Sequence, residues 1–205
     1  MSSNDRSAPP ERPTRKKPAK RQGSTDLRIR RTRERLGAAL IALIEEKAID
    51  EVSVREVLDR AKVGRSTFYL HYEDKDDLFL SQLEDGLQMW SNILSTKQEK
   101  SHRVSAVAEF FAHVASAGKL YGSLVVSGRI QAFFDLAQGY FARGIARRFK
   151  EIGLPLMDHR ESDARSHALA GNLLALLKWW LDRGAKEPAK NMDELFHRMV
   201  WKGLR

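Results

Sequence analysis

The sequence predicts an all-α protein in which a small N-terminal three-helix unit precedes a larger helical region. Apolar residues recur at helical spacing in most segments between residues 28 and 202. Several segments open on residues that cap helix N-termini, and glycine or proline follows several of their ends. We find no run of alternating apolar and polar residues between turn signals typical of strands, and no internal repeat. A fold built from helices alone is therefore expected.

The N-terminal unit contains two short helices around a tight turn. Ser53 and Glu56 have the spacing of a capping box, which places the start of the first short helix at Ser53 and its end near Ala61. Residues 62–64 form the turn, and Gly64 is an acceptable N-cap for the second short helix. This arrangement is typical of a helix-turn-helix.

Seven further helices are predicted around these two. The first carries an apolar stripe on which both short helices can pack, made of Ile29, Leu36, Leu40, Leu43 and Ile44. Asp74 signals the start of a long fourth helix. The expected ranges are 28–47, 74–96, about 102–117, a short piece after Gly118, 129–151, 161–183 and 191–202.

Positive charge is concentrated at the N-terminus. Residues 1–35 hold 12 of the 36 Lys and Arg residues but only 4 of the 27 Asp and Glu residues, in a chain of net charge +9. Residues 1–26 contain four prolines and almost no apolar side chains, so we expect a disordered basic arm. An arm of this kind beside a helix-turn-helix favours a polyanion such as DNA, because each neutralised phosphate releases counterions. A tail that only improves solubility is the alternative.

Several classes of site are excluded or disfavoured. The chain has no Cys, which excludes disulfides and thiolate metal sites. It has no secretory signal and no run of 18 apolar residues, so a cytoplasmic protein with no membrane contact is expected. Glu109 and Asp135 lack a neighbouring nucleophile and base, so we expect no enzyme and no cofactor. The histidines lack common metal-site spacings, so no metal is expected; they are His71, His102, His113, His159, His167 and His197.

Residues 46–78 resemble the DNA-binding domain of TetR-family transcriptional regulators. The family pattern appears as Ser53-Val54, Ala61-Lys62-Val63, Phe68-Tyr69-Leu70-His71-Tyr72 and Lys75. This chain departs from the pattern at Ala48 and Lys62, where glycine is common, and at Leu58, where a small alanine is usual. If Lys62 adopts positive φ, the strain costs about 1–2 kcal/mol.

The resemblance implies an N-terminal helix-turn-helix DNA-binding domain and a larger C-terminal helical domain for ligand binding and dimerisation. We therefore expect the arm at residues 1–26, the DNA-binding domain at 27–73, and the effector-binding and dimerisation domain at 74–205.

DNA contacts are expected from three groups of side chains. Residues 65–67 open the recognition helix, where they can reach base edges; an ordinary exposed helix start is the alternative. The resemblance assigns positions 69, 71 and 75 to phosphates. The basic residues at the start of the first helix can contact phosphates or the minor groove. A solvated basic face is the alternative. The expected contacts are Arg28, Arg31, Thr32, Ser53, Arg65, Ser66, Thr67, Tyr69, His71 and Lys75.

The resemblance also implies an effector pocket and a dimer interface in the larger domain. Aromatic side chains can line an apolar pocket, although a plain packed core has the same composition. The pocket candidates are Trp90, Phe110, Phe111, His113, Phe133, Phe134, Tyr140 and Trp179. In the family the last two long helices form a four-helix bundle with their copies, although an intramolecular helix stripe would look similar. The dimerisation candidates are Ala168, Gly171, Leu174 and Ala175.

The expected function is that of a homodimeric repressor, bound to a palindromic site in double-stranded DNA and released by a small-molecule effector. Two alternatives remain open. One is an effector-independent DNA-organising protein of the same fold. The other is a helical protein that binds or converts a small molecule and contacts DNA only incidentally.

Overall fold

The computed structural model describes residues 20–153 and 158–202, with side chains described from residue 26 onward. Within these residues the all-α fold is confirmed, with nine α-helices and no strand. The helices are α1 Lys20–Ile44, α2 Val54–Ala61, α3 Arg65–Tyr69, α4 Lys75–Thr96, α5 Val107–Ser116, α6 Gly118–Val126, α7 Ile130–Glu151, α8 His159–Asp182 and α9 Ala189–Lys202. A 3₁₀ helix at Ile49–Glu51, absent from the prediction, joins α1 to α2. None of the described helices has the length and apolar character needed to cross a membrane.

The first helix begins earlier than predicted. α1 starts at Lys20, so the last part of the expected arm is helical, whereas residues 1–19 lie outside the described residues. All four prolines of the arm precede Lys20, the last being Pro18, and a proline-free segment can continue a helix without an apolar face. Leu36 is fully buried but Ile29 is 41% exposed, so placing Ile29 in the apolar stripe was wrong.

The capping signals of the helix-turn-helix are confirmed. Ser53 Oγ accepts from the Glu56 amide, and the Glu56 carboxylate accepts from the Ser53 amide at 2.9 Å. Gly64 is the extended N-cap of α3. Asp74 caps α4 by accepting from two amides of its first turn, each at 2.8 Å. Local sequence therefore sets where these three helices start.

Lys62 occupies the left-handed region at the end of α2, with φ 53° and ψ 47°. Glycine is common at this turn position in the family because the left-handed region strains any residue that carries a Cβ. The lysine therefore costs about 1–2 kcal/mol at this position.

Helix α4 connects the two parts of the molecule. It packs on α1 and on α7, while α7 pairs with α8 and α5 pairs with α9. Gly144 lets α7 approach α4 closely, because a Cβ there would lie 2.3 Å from the Ser91 carbonyl oxygen. One apolar cluster runs from Leu36 in α1 through Phe79 in α4 to Phe196 in α9. The core is thus continuous across the expected domain boundary.

Candidate nucleic-acid interface

Helix α3 presents exposed side chains around one buried ring. Phe68 is fully buried, and it fixes the depth at which the helix sits on the core. Ser66 and Leu70 are four residues apart, and at about 100° per residue both lie on the side opposite Phe68. Thr67 flanks this side and is half-buried. The outer face of α3 is therefore available for contact along the whole helix.

The two ends of this face carry larger groups. The Arg65 guanidinium lies 5.7 Å from the centroid of the Tyr69 ring, which is 49% exposed. His71 is half-buried, with its ring 6.4 Å from that of Tyr72. Tyr72 itself is buried, as is Phe68, so both belong to the core. Arg65, Tyr69 and His71 thus surround the outer face of α3.

Lys75 has a different environment from the one expected of a phosphate contact. Its ammonium donates to the carbonyl oxygens of Ile49, Asp50 and Val52, at 2.8, 3.1 and 2.9 Å. A lysine ammonium has three donors, so these bonds use all of them. The positive charge therefore fastens the start of α4 to the segment that precedes α2, and a phosphate contact would require one of these bonds to break.

Arg35 fastens the turn from the opposite side. Its guanidinium donates to the carbonyl oxygen of Ala61 and, at 2.9 Å, to that of Lys62. A cation at the C-terminal end of a helix satisfies orphan carbonyls and complements the helix dipole. Lys75 and Arg35 together hold the two short helices against α1 and α4, so the outer face of α3 has a fixed orientation.

Ser53 acts within the fold through its capping box. Its hydroxyl donates to the Glu56 carboxylate at 2.8 Å, and Lys47 donates to the same carboxylate at 2.7 Å. The Lys47 ammonium, followed by the Ser53 amide and hydroxyl, lowers the pKa of Glu56 to about 2. Ser53 is exposed, but its donor is already used.

The basic start of α1 is exposed along its described part. Arg28 and Arg31 are both exposed, whereas the Thr32 hydroxyl donates to the Arg28 carbonyl oxygen at 3.0 Å. The Arg33 guanidinium donates to Tyr72 Oη at 3.1 Å, which ties α1 to the end of the helix-turn-helix. Arg28 and Arg31 are therefore the predicted α1 residues best placed to meet a phosphate.

Leu70, which was not among the predicted contacts, also lies on the outer face of α3. It is 80% exposed at the C-terminal end of the helix. The signal in the sequence was a leucine four residues after Ser66 and two after Phe68, a spacing that points it away from the core.

A second site lies in the larger domain, where a cavity of about 110 Å³ opens between α4, α5, α6 and α7. Four of the eight pocket candidates line it, namely Trp90, Phe110, His113 and Phe133. The Trp90 and His113 ring centroids are 4.9 Å apart. Leu120, Tyr121 and Leu124 of α6 form the remaining wall together with residues of α4. The small helix α6 thus contributes to the pocket, which the prediction did not include.

The other four pocket candidates lie elsewhere. Phe111 is fully buried and packs 5.3 Å from Trp180. Arg143 lies 4.5 Å from the Tyr140 ring, and Arg183 lies 4.4 Å from the ring of Trp179, which is 39% exposed. Phe134 packs against the core from its edge. These four residues do not line the cavity, because α5, α7 and α8 turn them toward other neighbours.

The dimerisation candidates divide between two sides of α8. Ala168 and Ala175 are exposed and Gly171 is half-buried, and together with Ala164 they form a row at spacings of four and three residues. Leu174 is only 5% exposed within the single chain, so its place on a dimer seam was wrong. Its side chain belongs to the core shared with α7.

The carboxylates considered for catalysis have structural partners. Glu109 accepts from Arg103 in an ion pair of 2.5 Å, and Asp135 accepts from Gln131 at 2.9 Å. Across residues 20–153 and 158–202, no group of three His, Asp or Glu side chains is arranged to hold a metal ion.

Comparisons with known proteins identify the helix-turn-helix segment. Residues 37–81 match the family described as bacterial regulatory proteins, tetR family. The chain is 38% identical over 176 residues to the HTH-type transcriptional regulator YxbF of Bacillus subtilis (strain 168), a match that covers 80% of this chain and 42% of that protein. The chain thus spans less than half the length of this relative.

Two solved structures share the fold. The dihydroxyacetone kinase operon activator DhaS superposes with a TM-score of 0.58 at 16% identity, covering 82% of this chain and 92% of its own. The fatty acid degradation regulator FadR from Bacillus halodurans superposes with a TM-score of 0.56 at 16% identity, covering 85% and 96%. At such identities the likeness concerns the fold alone. The family match falls on residues 37–81, which build the helix-turn-helix, and this segment is therefore similar to the helix-turn-helix of the bacterial regulatory proteins of the tetR family.

Proposed function

We propose that the protein is a transcriptional regulator that binds double-stranded DNA through the outer face of α3. One observation carries this proposal: Phe68 is buried while the residues around it, from Arg65 to Leu70, are exposed or half-buried. A helix presented in this way fits the major groove, where guanidinium, hydroxyl and apolar side chains each reach different base edges.

The contacts are assigned by the placement of each side chain. Residues 65–67 and Leu70 face the bases. Tyr69 and His71 flank them and contact phosphates, and Arg28 and Arg31, beside Thr32, contact phosphates or the minor groove. Ser53 and Lys75 hold the helix-turn-helix in shape, because their donors already have protein partners.

The protein acts as a homodimer in this proposal. A helix as short as α3 covers few base pairs, so specificity requires two copies about 34–36 Å apart on one face of the duplex. The exposed row at Ala164, Ala168, Gly171 and Ala175 permits close approach of α8 to its copy in a four-helix bundle with α9. Trp179 lies exposed at the end of the row and adds apolar surface to it.

A ligand in the cavity would act on DNA binding through α6. This helix lines the cavity, and on its other side Lys119 donates to the Glu45 carbonyl oxygen at 3.1 Å. Ser123 Oγ accepts from the Ile49 amide at 3.4 Å. Both partners lie between α1 and α2, in the segment whose carbonyls hold Lys75. A shift of α6 would therefore displace the segment to which Lys75 is hydrogen-bonded, next to the recognition helix α3.

Two further contacts tie the region around the cavity to the DNA-binding domain and to the start of α4. Arg129, just after α6, pairs with Asp50 at 2.9 Å and with Asp76 at 3.1 Å. Gln82 lines the cavity and also lies against Gly37 of α1, where a Cβ would stand 1.9 Å from the amide oxygen. If an effector changes these contacts when it binds, it shifts the spacing of the two recognition helices.

The mode of regulation proposed is repression by steric block, relieved when the effector binds. The cavity favours repression relieved by an effector over an effector-independent DNA organiser, which needs no cavity in its core. Binding with equal affinity to DNA of every sequence would favour the organiser instead.

Selection of duplexes from a random-sequence library by the full chain tests the proposal. We expect enrichment of a two-fold symmetric site that binds at least about 10³-fold more tightly than a scrambled duplex at the same salt concentration. Enrichment of no motif, with binding that depends only on salt, would contradict sequence-specific regulation.

A further inference from the structure

We propose that the cavity beside Trp90 takes a small uncharged molecule of about the size of one substituted aromatic ring, and that it excludes carboxylates. The inference rests on the proposed function, in which this cavity is the effector site, and it adds the chemical class of the effector. It follows from three features of the cavity: its charge, its size and the shape of its wall.

The cavity contains no formal charge. Among the described residues that line it, none is Asp, Glu, Lys or Arg. Its polar groups are the Gln82 amide, the His113 imidazole and the Tyr121 hydroxyl, each able to hydrogen-bond to a neutral partner. A carboxylate placed against this wall would lose part of its hydration without a cation to pair with, which is unfavourable.

His113 does not supply the missing cation at neutral pH. His113 keeps exposed surface, but partial desolvation of its ring lowers the pKa of this histidine by penalising the imidazolium form. Its ring therefore offers a neutral donor and acceptor beside the Trp90 face.

The size of the cavity limits the ligand. Its volume of about 110 Å³ is smaller than the roughly 300–1,000 Å³ of sites for drug-sized ligands. It is similar to the roughly 150 Å³ apolar cavity that binds benzene in another protein. The Trp90 ring lies 4.9 Å from His113 and 6.0 Å from Phe110, so the wall on this side is aromatic and suits a flat ring.

Gly86 provides a way to fill the cavity without disturbing the core. It lines the cavity from α4, and a Cβ built there meets no atom within 4 Å. Gly122 of α6 is a matched control, because it has equally free space around a Cβ but does not line the cavity. Both substitutions replace a glycine inside a helix, so their effects on helix propensity are equal.

The experiment compares benzamide with benzoate, which have nearly the same shape and differ in charge, and adds octanoate as a flexible carboxylate. Thermal unfolding of the full chain is followed at increasing probe concentration. We expect benzamide, at about ten times its Kd, to raise Tm by about 3–6 °C. Benzoate and octanoate should leave Tm unchanged at the same concentration. The benzamide shift should disappear in Gly86→Leu, shrink in the milder Gly86→Ala, and persist in Gly122→Leu.

Three results would overturn the inference. The first is a shift with benzoate or octanoate that equals or exceeds the shift with benzamide. The second is the absence of a benzamide shift up to about 10 mM, a concentration on the order of the Kd of a weakly bound fragment. The third is a benzamide shift that Gly86→Leu and Gly86→Ala leave intact. DNA binding by the ligand-free protein is measured in parallel. If it is sequence-specific while benzamide fails, the ligand class is wrong and the proposed regulator stands; loss of both would remove the proposed function as well.

Discussion

At the scale of single residues, the capping box of α2 makes the helix-turn-helix sensitive to acid. Lys47 and Ser53 hold the Glu56 carboxylate ionised and lower its pKa from 4.5 to about 2. A carboxylate whose pKa is lowered on folding adds stability that is complete above its unfolded pKa and is lost as the pH falls toward its folded pKa. The relevant window is therefore between about pH 4.5 and pH 2.

Glu56→Gln should remove this contribution. We expect the variant to be less stable than the wild type at pH 7, and the difference in unfolding free energy to shrink as the pH falls through the window. Urea unfolding at several pH values measures both curves. A difference that stays constant from pH 7 to pH 2 would show that the ionised form of Glu56 has no special stabilisation.

Leu70 is expected to contact a thymine methyl group, the apolar feature that the major groove offers to such a side chain. Replacing thymine with uracil removes that methyl group. On a selected site, one such replacement per half-site should weaken wild-type binding by about 1 kcal/mol or more. The Leu70→Ala variant should bind the thymine-containing and uracil-containing duplexes with equal affinity.

The matched control for Leu70→Ala is Val126→Ala, because Val126 is 81% exposed on α6, away from α3. It should keep the wild-type preference for thymine. If Leu70→Ala retains that preference at every position, Leu70 does not read a base.

Some of these residue roles could be predicted from the sequence, and others could not. Ser53 and Asp74 were placed correctly as caps, because the side chain of each accepts from amides two or three positions away, and Gly64 was placed correctly as an extended N-cap. The partners of Lys75 lie 23 to 26 residues earlier in the chain, so sequence spacing could not show them. One signal was present: a cation in the first turn of a helix opposes the dipole and needs compensating acceptors.

At the scale of elements, Lys75 fixes the position of the start of α4 relative to α2 and α3. Its substitution should therefore change stability and leave the salt dependence of DNA binding unchanged, whereas substitution of Arg31 should do the reverse. Lys75→Met should lower the unfolding free energy by about 2–4 kcal/mol, because three hydrogen bonds from a charged donor are lost. For the protein that remains folded, the slope of log Kobs for DNA binding against log salt concentration should equal that of the wild type.

Arg31→Ala should instead leave stability nearly unchanged and reduce the salt slope by about 0.9, the value for one phosphate contact. Unfolding curves and binding at several salt concentrations measure both effects. A reduced slope with unchanged stability in Lys75→Met would restore the phosphate contact first expected of that residue.

Helix order and most helix ends could be predicted from capping and breaking residues, but the start of α1 could not. Its first turns lack an apolar face, and we equated that lack with disorder. The break near Gly118 was predicted, and it separates α5 from α6 as Val107–Ser116 and Gly118–Val126. The role of α6 as a link between cavity and DNA-binding domain depends on tertiary contacts and could not be predicted.

At the scale of the whole molecule, the small-residue row on α8 should govern assembly. Ala168→Arg places a charge in the proposed seam and should yield a folded monomer that loses tight binding to the selected site. Ala112→Arg, on an exposed position of α5, should remain dimeric. Light scattering and circular dichroism at micromolar concentration measure mass and helix content.

Leu174→Arg should behave differently from Ala168→Arg, because Leu174 is buried within one chain and the charge would unfold it. The sequence could not separate these two positions, since α8 carries apolar or small residues on both of its sides. A wild type that is monomeric without DNA, or an Ala168→Arg variant that stays dimeric, would contradict the bundle.

Sequence reading by the outer face of α3 is tested by comparing the wild type with Thr67→Ala on the selected duplex and on its single-base variants, at one salt concentration. Thr67→Ala should lose about 1–3 kcal/mol of discrimination at one position of each half-site and keep the wild-type Tm and non-specific affinity. Equal discrimination by the two proteins at every position, with Arg65→Ala behaving in the same way, would show that the outer face of α3 does not read bases.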